Sequence, residues 1–488
     1  MRNLKTLILM VMISLFYARE AYDGYLLFTP GGQGSGNNAT TYLRDNSGNN
    51  INTWSHDCGP ASMPYFMPGS TSFEESILVY PCRSSNPTME TGGVGGQVKY
   101  YDWYGHLLWE HEISSNTYQH HHDVQPLPNG NVLMLAWERL YSSDWQALGR
   151  ASVNNSLNQM WATVIFEIQP NLESGLSEVV WEWHITDHLI QDVDPSLDNY
   201  GVVADHPELF NVNQGNVGSN GGPGMDADGD WIHANAIDYN AELDQIVISS
   251  RFMDEIFIID HSTTTAEAAS HSGGIYGKGG DFLYRWGNPQ NYGRGSNSDH
   301  ILGDQHSVNW IPDGYPGAGN LILFNNNHGN NIAAALEIET PILEDGSYEL
   351  NSSGFYGPES YSWIHSGSSF HTSMQGGAFR LPNGNTLITD ANDATVIEVD
   401  ENGEVVYSYI HPGNQSMIAR AQKIGDEFFA SYTIGDVNDD GSFNVLDVVL
   451  IVNIILGESV FTPAADMNED GIINVLDVIQ LVNIVIGG

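Results

Sequence analysis

WIHANAIDYNAELDQIVISSR, residues 231–251, reads as a β-hairpin. Residues 232–238 and 245–250 carry β-branched and aromatic side chains at strand-like spacing, and the polar segment from Asn240 to Asp244 supplies the turn. Folding about that turn sets the start of one strand opposite the end of the other, so His233 and Arg251 are expected as neighbours at the open end. Asn235, two residues on, is expected on the same face as His233. A histidine, an arginine and an amide gathered there make a donor-rich, cationic pocket in a chain whose formal charge is 15 minus 60, or −45.

The hairpin recurs along the chain as QHHHDVQPLPNGNVLMLAWE (119–138), DQHSVNWIPDGYPGAGNLILFNNN (304–327) and SMQGGAFRLPNGNTLITDAN (373–392). Asn129-Gly130 and Asn383-Gly384 are expected as two-residue turns in which both residues take positive φ. After most hairpins come two more strands: VIFEIQPNLESGLSEVVWEWHI (164–185), IFIIDHS (256–262) with GDFLYRWGNP (280–289), and VIEVDENGEVVYSYIHP (396–412). Residues 63–113 form a weaker copy. The leftover pieces, KIGDEFFASYTIG (423–435) at one end and DGYLLFTP (23–30) with TTYLRDNSGNNINTWSHD (40–57) at the other, supply one more unit. The expectation is an all-β, six-bladed β-propeller over residues 22–434, closed by N- and C-terminal strands so that no edge strand is left open. A β-sandwich would give no reason for the repeat.

Residues 435–488 differ in character. Asp436, Asn438, Asp440, Ser442 and Asp447, and again Asp466, Asn468, Asp470, Ile472 and Asp477, stand at positions 1, 3, 5, 7 and 12 of two calcium loops, with Gly441 and Gly471 at the sharp turn. Side-chain oxygens and, at Ser442 and Ile472, a backbone carbonyl are the expected ligands of a structural calcium ion. Each loop runs into an apolar helix, VLDVVLIVNIIL or VLDVIQLVNIVI. At the other end, Arg2 and Lys5 precede an apolar run from Leu7 to Tyr17, so residues 1–18 read as a signal peptide too short to span a membrane. The mature chain is expected to be secreted, extracellular, cell-surface or periplasmic, and without a membrane span. Its acidity excludes nucleic acid and anionic membrane as partners. Cys58 and Cys82, in an oxidising compartment, are either one disulfide or two buried thiols, because pairing depends on geometry.

In a propeller the inner strands all run the same way, so their beginnings meet at one mouth of the channel. His120, His121, His122 and Asp123 begin one, His233 the next, Gln305 and His306 the third, and His371 with Thr372 the fourth. Histidines from several blades and Arg251 are therefore expected around one opening. Such histidines also serve to tie strand ends. The triple histidine matches no familiar metal spacing, and Arg251 would repel a cation. Trp231, Trp310 and Trp363 are candidates both for stacking on an aromatic ligand and for the core.

From about residue 60 to 430 the chain resembles bacterial arylsulfotransferases that use no nucleotide sulfate donor. HHDV followed by LPNGN, WIHANAIDY ending in ISSR, QHSVNW and GGAFRLPNGNTLI carry the resemblance, which implies a six-bladed propeller. It implies His306 as the nucleophile that accepts a sulfuryl group, and His122, His233 and Arg251 as holders of its oxygens. Asn235 and Thr372 would support substrate, with His121 the alternative to His122. Donor and acceptor would be an aryl sulfate and a phenol, with no cofactor for the transfer; a non-catalytic binder of anionic glycans and a sulfatase using water are the alternatives. Residues 435–488 resemble a type I dockerin, which implies a cohesin-type partner, against a folding unit that merely uses calcium.

Overall fold

The computed structural model describes residues 20–31, 38–221, 226–330, 332–367, 372–412, 417–429, 434–438, 442–456, 462–468 and 472–487. The leader at 1–18, His371, Asp440 and Asp470 lie outside them. Six four-stranded antiparallel sheets form the blades of a β-propeller. From inside outward, blade 1 holds Tyr65–Phe66, Leu78–Arg83, Gly96–Tyr101 and Leu107–Glu112. Blade 2 holds Tyr118–Pro126, Val132–Leu140, Met160–Pro170 and Ser177–His184. The opening hairpin, Ala234–Asn240 and Gln245–Ser250, leads blade 3 and is followed by Glu255–Asp260 and Tyr284–Trp286. Blades 4 and 5 begin with His306–Trp310 and Gly377–Arg380. In blade 6 the late strand Ile418–Ile424 lies innermost and pairs with Tyr25–Pro30, outside which follow Ala39–Arg44 and Asn50–His56, all three from the start of the chain. The ring thus closes by its own two ends.

Strand periodicity explains the core. Ile246 and Ile248 pack with Leu133 and Leu135 of blade 2, whereas Val247, between them, packs with Leu321 and Leu323 of blade 4. Successive side chains point to opposite faces. Each face of a blade meets a neighbouring blade, so its middle strands are apolar at nearly every position. Four further clusters of the same kind fill the remaining interfaces around the ring.

Two local expectations are corrected. The closing strand is IARAQKI, ending at Ile424, and not the piece that begins at Lys423; Asp426–Phe428 is instead a single 3-10 turn. In the LPNGN turns only Gly130 (φ 84°) and Gly384 (φ 86°) are left-handed, whereas Asn129 and Asn383 are not. Proline ahead of each asparagine favours a right-handed turn over the first two loop residues, and the glycine then closes it. The Asn129 side-chain oxygen accepts from Asn131 N–H at 3.0 Å, and Asn383 does the same with Asn385 at 3.1 Å.

Cys58 and Cys82 form a disulfide that joins the segment after blade 6 to blade 1. In the tail, helices Val445–Leu456 and Val475–Gly487 pack through Ile451, Ala465 and Leu481. No helix among the described residues is long and apolar enough to cross a membrane.

Candidate active site

Positive φ at non-glycine residues is uncommon, and here it gathers where the inner strands begin: His122 (55°), His233 (50°), Asp304 (54°), Ser307 (61°) and Gln375 (59°). Pairing registers slip at the same places, between His120 and Val124, Ala234 and Ala236, and His306 and Asn309. These bulges re-aim side chains that regular strands would send into the blade interfaces.

Three imidazoles from three blades converge as a result. His122 Nε2 lies 3.0 Å from His233 Nε2, and the rings of His122 and His306 are 6.2 Å apart. His233 Nδ1 is hydrogen-bonded to the Asp230 carboxylate, whose other oxygen accepts from Trp137 Nε1–H at 3.0 Å. That bond puts the His233 proton on Nδ1, so its Nε2 accepts from His122 Nε2–H. His122 Nδ1 in turn faces the Gln375 side-chain amide at 3.4 Å. His306 Nδ1 donates to Asn326 Oδ1 at 2.8 Å and lies 3.0 Å from the Asp304 carbonyl. Its Nε2 therefore carries a lone pair, met only by the long 3.3 Å bond from Gln375 N–H.

Arg251 stands beside this cluster as the hairpin register requires, its N–H donating to the His233 carbonyl at 3.1 Å. Its Nε forms an ion pair with Asp304 at 3.1 Å without the alignment of a hydrogen bond, and its side chain stays partly exposed. Phe252 covers the His233 ring at 4.7 Å and is itself half exposed, so an apolar face adjoins the cations.

Burial sets the charge state. It pulls His306 down to about 3, with the Asn326 bond opposing the fall and the charges of Arg251, His233 and Arg420 adding to it. His122 is held well below the ordinary histidine range by burial first and by His233 next. The pH profile of kcat/KM is expected to lack an acid limb near the ordinary histidine pKa of about 6.5. An acid limb there in the wild type, with the His306 ring seen by NMR to titrate over the same range, would contradict this state. Because the folded pKa lies below the unfolded one, the ring's contribution to stability is complete above about 6.5 and is lost as pH falls toward 3.

The remaining predicted residues fall elsewhere. Asn235 donates to the Gln305 carbonyl at 2.7 Å, and the register shift between Ala234 and Ala236 interrupts the regular alternation on which the expected sharing of a face with His233 rested. It steadies the backbone just before His306. Thr372 Oγ1 donates to the Met374 carbonyl of its own loop at 3.3 Å and accepts from Asn392 N–H at 3.0 Å. His121 stacks flat on Trp137 at 4.0 Å, buried, so His122 is the histidine in the cluster. Trp231 and Trp310 are core, and Trp363 pairs with Arg380. Asp230, Gln375, Asn326 and Phe252 had no place in the sequence reading. Only Asp230 carried a signal, the Asp-x-x-His spacing.

A family model for arylsulfotransferase matches residues 83–341, and one for the type I dockerin domain matches residues 434–486. The chain belongs to the arylsulfotransferase family. The family match covers blades 2 and 3, the two outer strands of blade 1 and the first three strands of blade 4, and with them His122, His233, Arg251 and His306. No curated protein matches the sequence. Among solved structures, a protein of unknown function from Bacteroides caccae is 11% identical, with 83% of this chain and 99% of that one covered and a TM-score of 0.43. Apo AztD from Citrobacter koseri is 10% identical over 82% of this chain and 99% of its own, with a TM-score of 0.33. At such values neither bears on function.

Calcium fits the dockerin tail. Asp447 accepts from Val437 N–H at 2.8 Å with one oxygen and from Asn444 N–H at 2.8 Å with the other; Asp477 does likewise with Met467 and Asn474. Both carboxylates are fully buried, Asp436 and Asp466 nearly so, and residues 435–488 contain no lysine, arginine or histidine to offset them. Asp436, Asn438, Ser442 and Asp447, and Asp466, Asn468, Ile472 and Asp477, are the described residues that would hold the ions. Chelation is expected to remove most of the helical circular dichroism while the β signal of the propeller persists. Helical signal unchanged in excess EDTA would overturn this.

Proposed function

We propose that the chain is a secreted aryl-sulfate sulfotransferase that works by ping-pong transfer through a sulfohistidine at His306 Nε2. The observation that carries this reading is the unprotonated, buried Nε2 of His306, set beside two more imidazoles and an arginine. Sulfuryl transfer, like phosphoryl transfer, has a loose transition state with charge on the equatorial and leaving oxygens, so positioned cationic donors are the main requirement. Arg251 supplies a permanent positive charge with a planar fork of donors.

In the first half-reaction, which starts once the His122–His233 pair has taken up one proton from water beside the anionic sulfate, the Nε2 lone pair attacks sulfur, the sulfur–aryl oxygen bond breaks, and the phenolate leaves with that proton. Asp230 behind His233 offsets the charge that passes through that pair. Asn326 and the Asp304 carbonyl hold the Nδ1 proton throughout. In the second half a phenol enters, gives its proton back to the pair, and attacks sulfur as the nitrogen–sulfur bond breaks.

The family membership, the signal-like segment at 1–18, the Cys58–Cys82 disulfide and the dockerin tail support an extracellular setting. In this reading the propeller runs from 22 to 434, and the tail at 435–488 takes structural calcium and a cohesin-type partner. The test is incubation with 4-nitrophenyl sulfate with and without phenol. Nitrophenol release accelerated by phenol, with phenyl sulfate as product, is expected. Release indifferent to phenol, with free sulfate as product, would make the protein a hydrolase. No release from several aryl sulfates would sink the enzymatic reading.

A further inference from the structure

Away from the channel, one carboxylate faces two imidazoles. His188 Nδ1 lies 2.7 Å from Asp281 Oδ1, and His271 Nδ1 lies 2.8 Å from the same oxygen. All three ligand atoms fall within 4.8 Å of one another, and among the described residues no other trio of such groups does so. His188 comes just after the outermost strand of blade 2, whereas His271 and Asp281 lie between the last two strands of blade 3.

The His188 ring is fixed more firmly than packing alone requires. Trp183 stacks parallel to it at 5.5 Å, and Trp183 Nε1–H donates to the Gly280 carbonyl at 2.8 Å. A Cβ on Gly280 would sit 2.5 Å from His188 Nε2, so only glycine lets the backbone come this close. Nε2 donates to the Ala268 carbonyl at 2.8 Å. That bond places one proton on Nε2 and turns the Nδ1 lone pair toward Asp281. A backbone carbonyl that holds the far nitrogen is the usual outer partner of a metal-ligating histidine.

We propose that His188 Nδ1, His271 Nδ1 and Asp281 form a zinc site that staples blade 2 to blade 3. Two imidazole nitrogens and one carboxylate oxygen suit a borderline cation such as Zn²⁺ at bond lengths of about 2.0–2.2 Å, with a water to complete the tetrahedron. Calcium, which prefers six to eight oxygens, is a poor match for this donor set. A tetrahedral ion holds its ligand atoms roughly 3.3 Å apart at those bond lengths. The trio must therefore open by about half an ångström, and His271, with its side chain 61% exposed, is free to make that move. Its exposure also gives the ion a route from solvent. The site joins segments beside the outer strands of blades 2 and 3, so its role is to support the fold.

The test is calorimetric titration of zinc into the full-length protein held in excess calcium, which keeps the tail's loops occupied. One equivalent of high-affinity zinc and a raised melting temperature are expected for the wild type. His271→Ala leaves the buried His188–Asp281 contact in place and is expected to weaken zinc binding by at least about 100-fold, more than loss of an outer partner costs. Cobalt(II) in place of zinc is expected to give tetrahedral visible bands in the wild type and not in the variant. No saturable zinc binding would overturn the proposal, leaving protons on both Nδ1 atoms as the bridge. Equal binding by wild type and His271→Ala would overturn it too, by moving the ion elsewhere, the catalytic histidines included.

Discussion

Replacing His306 by alanine is expected to lower turnover of an aryl sulfate by at least about 10⁴-fold and to abolish any sulfuryl adduct on the protein. A nucleophile that forms the covalent intermediate has no substitute in the cluster. His233 Nε2 is engaged by His122, and His122 Nδ1 points at Gln375. Replacing Arg251 by alanine removes transition-state charge stabilisation only, with a smaller loss on the order of 10²–10³-fold expected. The ranking is the content of the prediction, and intact-mass measurement after exposure to 4-nitrophenyl sulfate reads it directly. An adduct that survives in His306→Ala, or activity within about tenfold of wild type, would move the nucleophile elsewhere. The variant should fold, because among the described residues the ring's hydrogen bonds are those to Asn326, the Asp304 carbonyl and Gln375 N–H, at the channel wall.

Arg420→Met is expected to destabilise the propeller by about 3–5 kcal/mol. Arg420 lies on the closing strand Ile418–Ile424 and meets Asp123 of blade 2 at 2.8 Å, with side chains 4% and 0% exposed. Asp123 also accepts from Tyr65 O–H at 2.6 Å, Ser62 O–H at 3.1 Å and Ile237 N–H at 3.2 Å, so one carboxylate ties the closing strand to three blades. Removal of the guanidinium leaves a buried carboxylate without its counter-charge. A few kcal/mol is a large share of the 5–15 kcal/mol that holds a domain folded. The denaturation midpoint should fall sharply for Arg420→Met and recover in Arg420→Met with Asp123→Asn, since the second change removes the orphaned charge. A loss below about 1 kcal/mol in the single variant would mean that water reaches the pair and screens it.

Much of this molecule could be read from its amino acids because the relevant signals are local. The blade repeat follows from period-2 apolar runs and Leu-Pro-Asn-Gly-Asn turns, and the calcium loops from oxygens at set positions within twelve residues. The meeting of His233 with Arg251 follows from the register of one hairpin, since strands joined by a short turn leave the distant residues little choice of partner. The chemistry of the cluster is a different matter. Which histidine of the triplet faces the channel depends on a bulge that turns His122 in and leaves His121 on Trp137. The proton arrangement depends on Asp230, Asn326 and Gln375, which come from the segment just before blade 3, the second strand of blade 4 and a loop 145 residues downstream of Asp230. The bond from Asn235 to the Gln305 carbonyl was equally out of reach of the sequence. Strand periodicity places side chains only while the ladder is regular, and at this mouth the backbone leaves it in blade after blade. Local pattern thus determined the blades, the turns and the calcium loops. The choice of nucleophilic nitrogen, its neutrality and its companions arose only when six blades closed into a ring and took those side chains out of water.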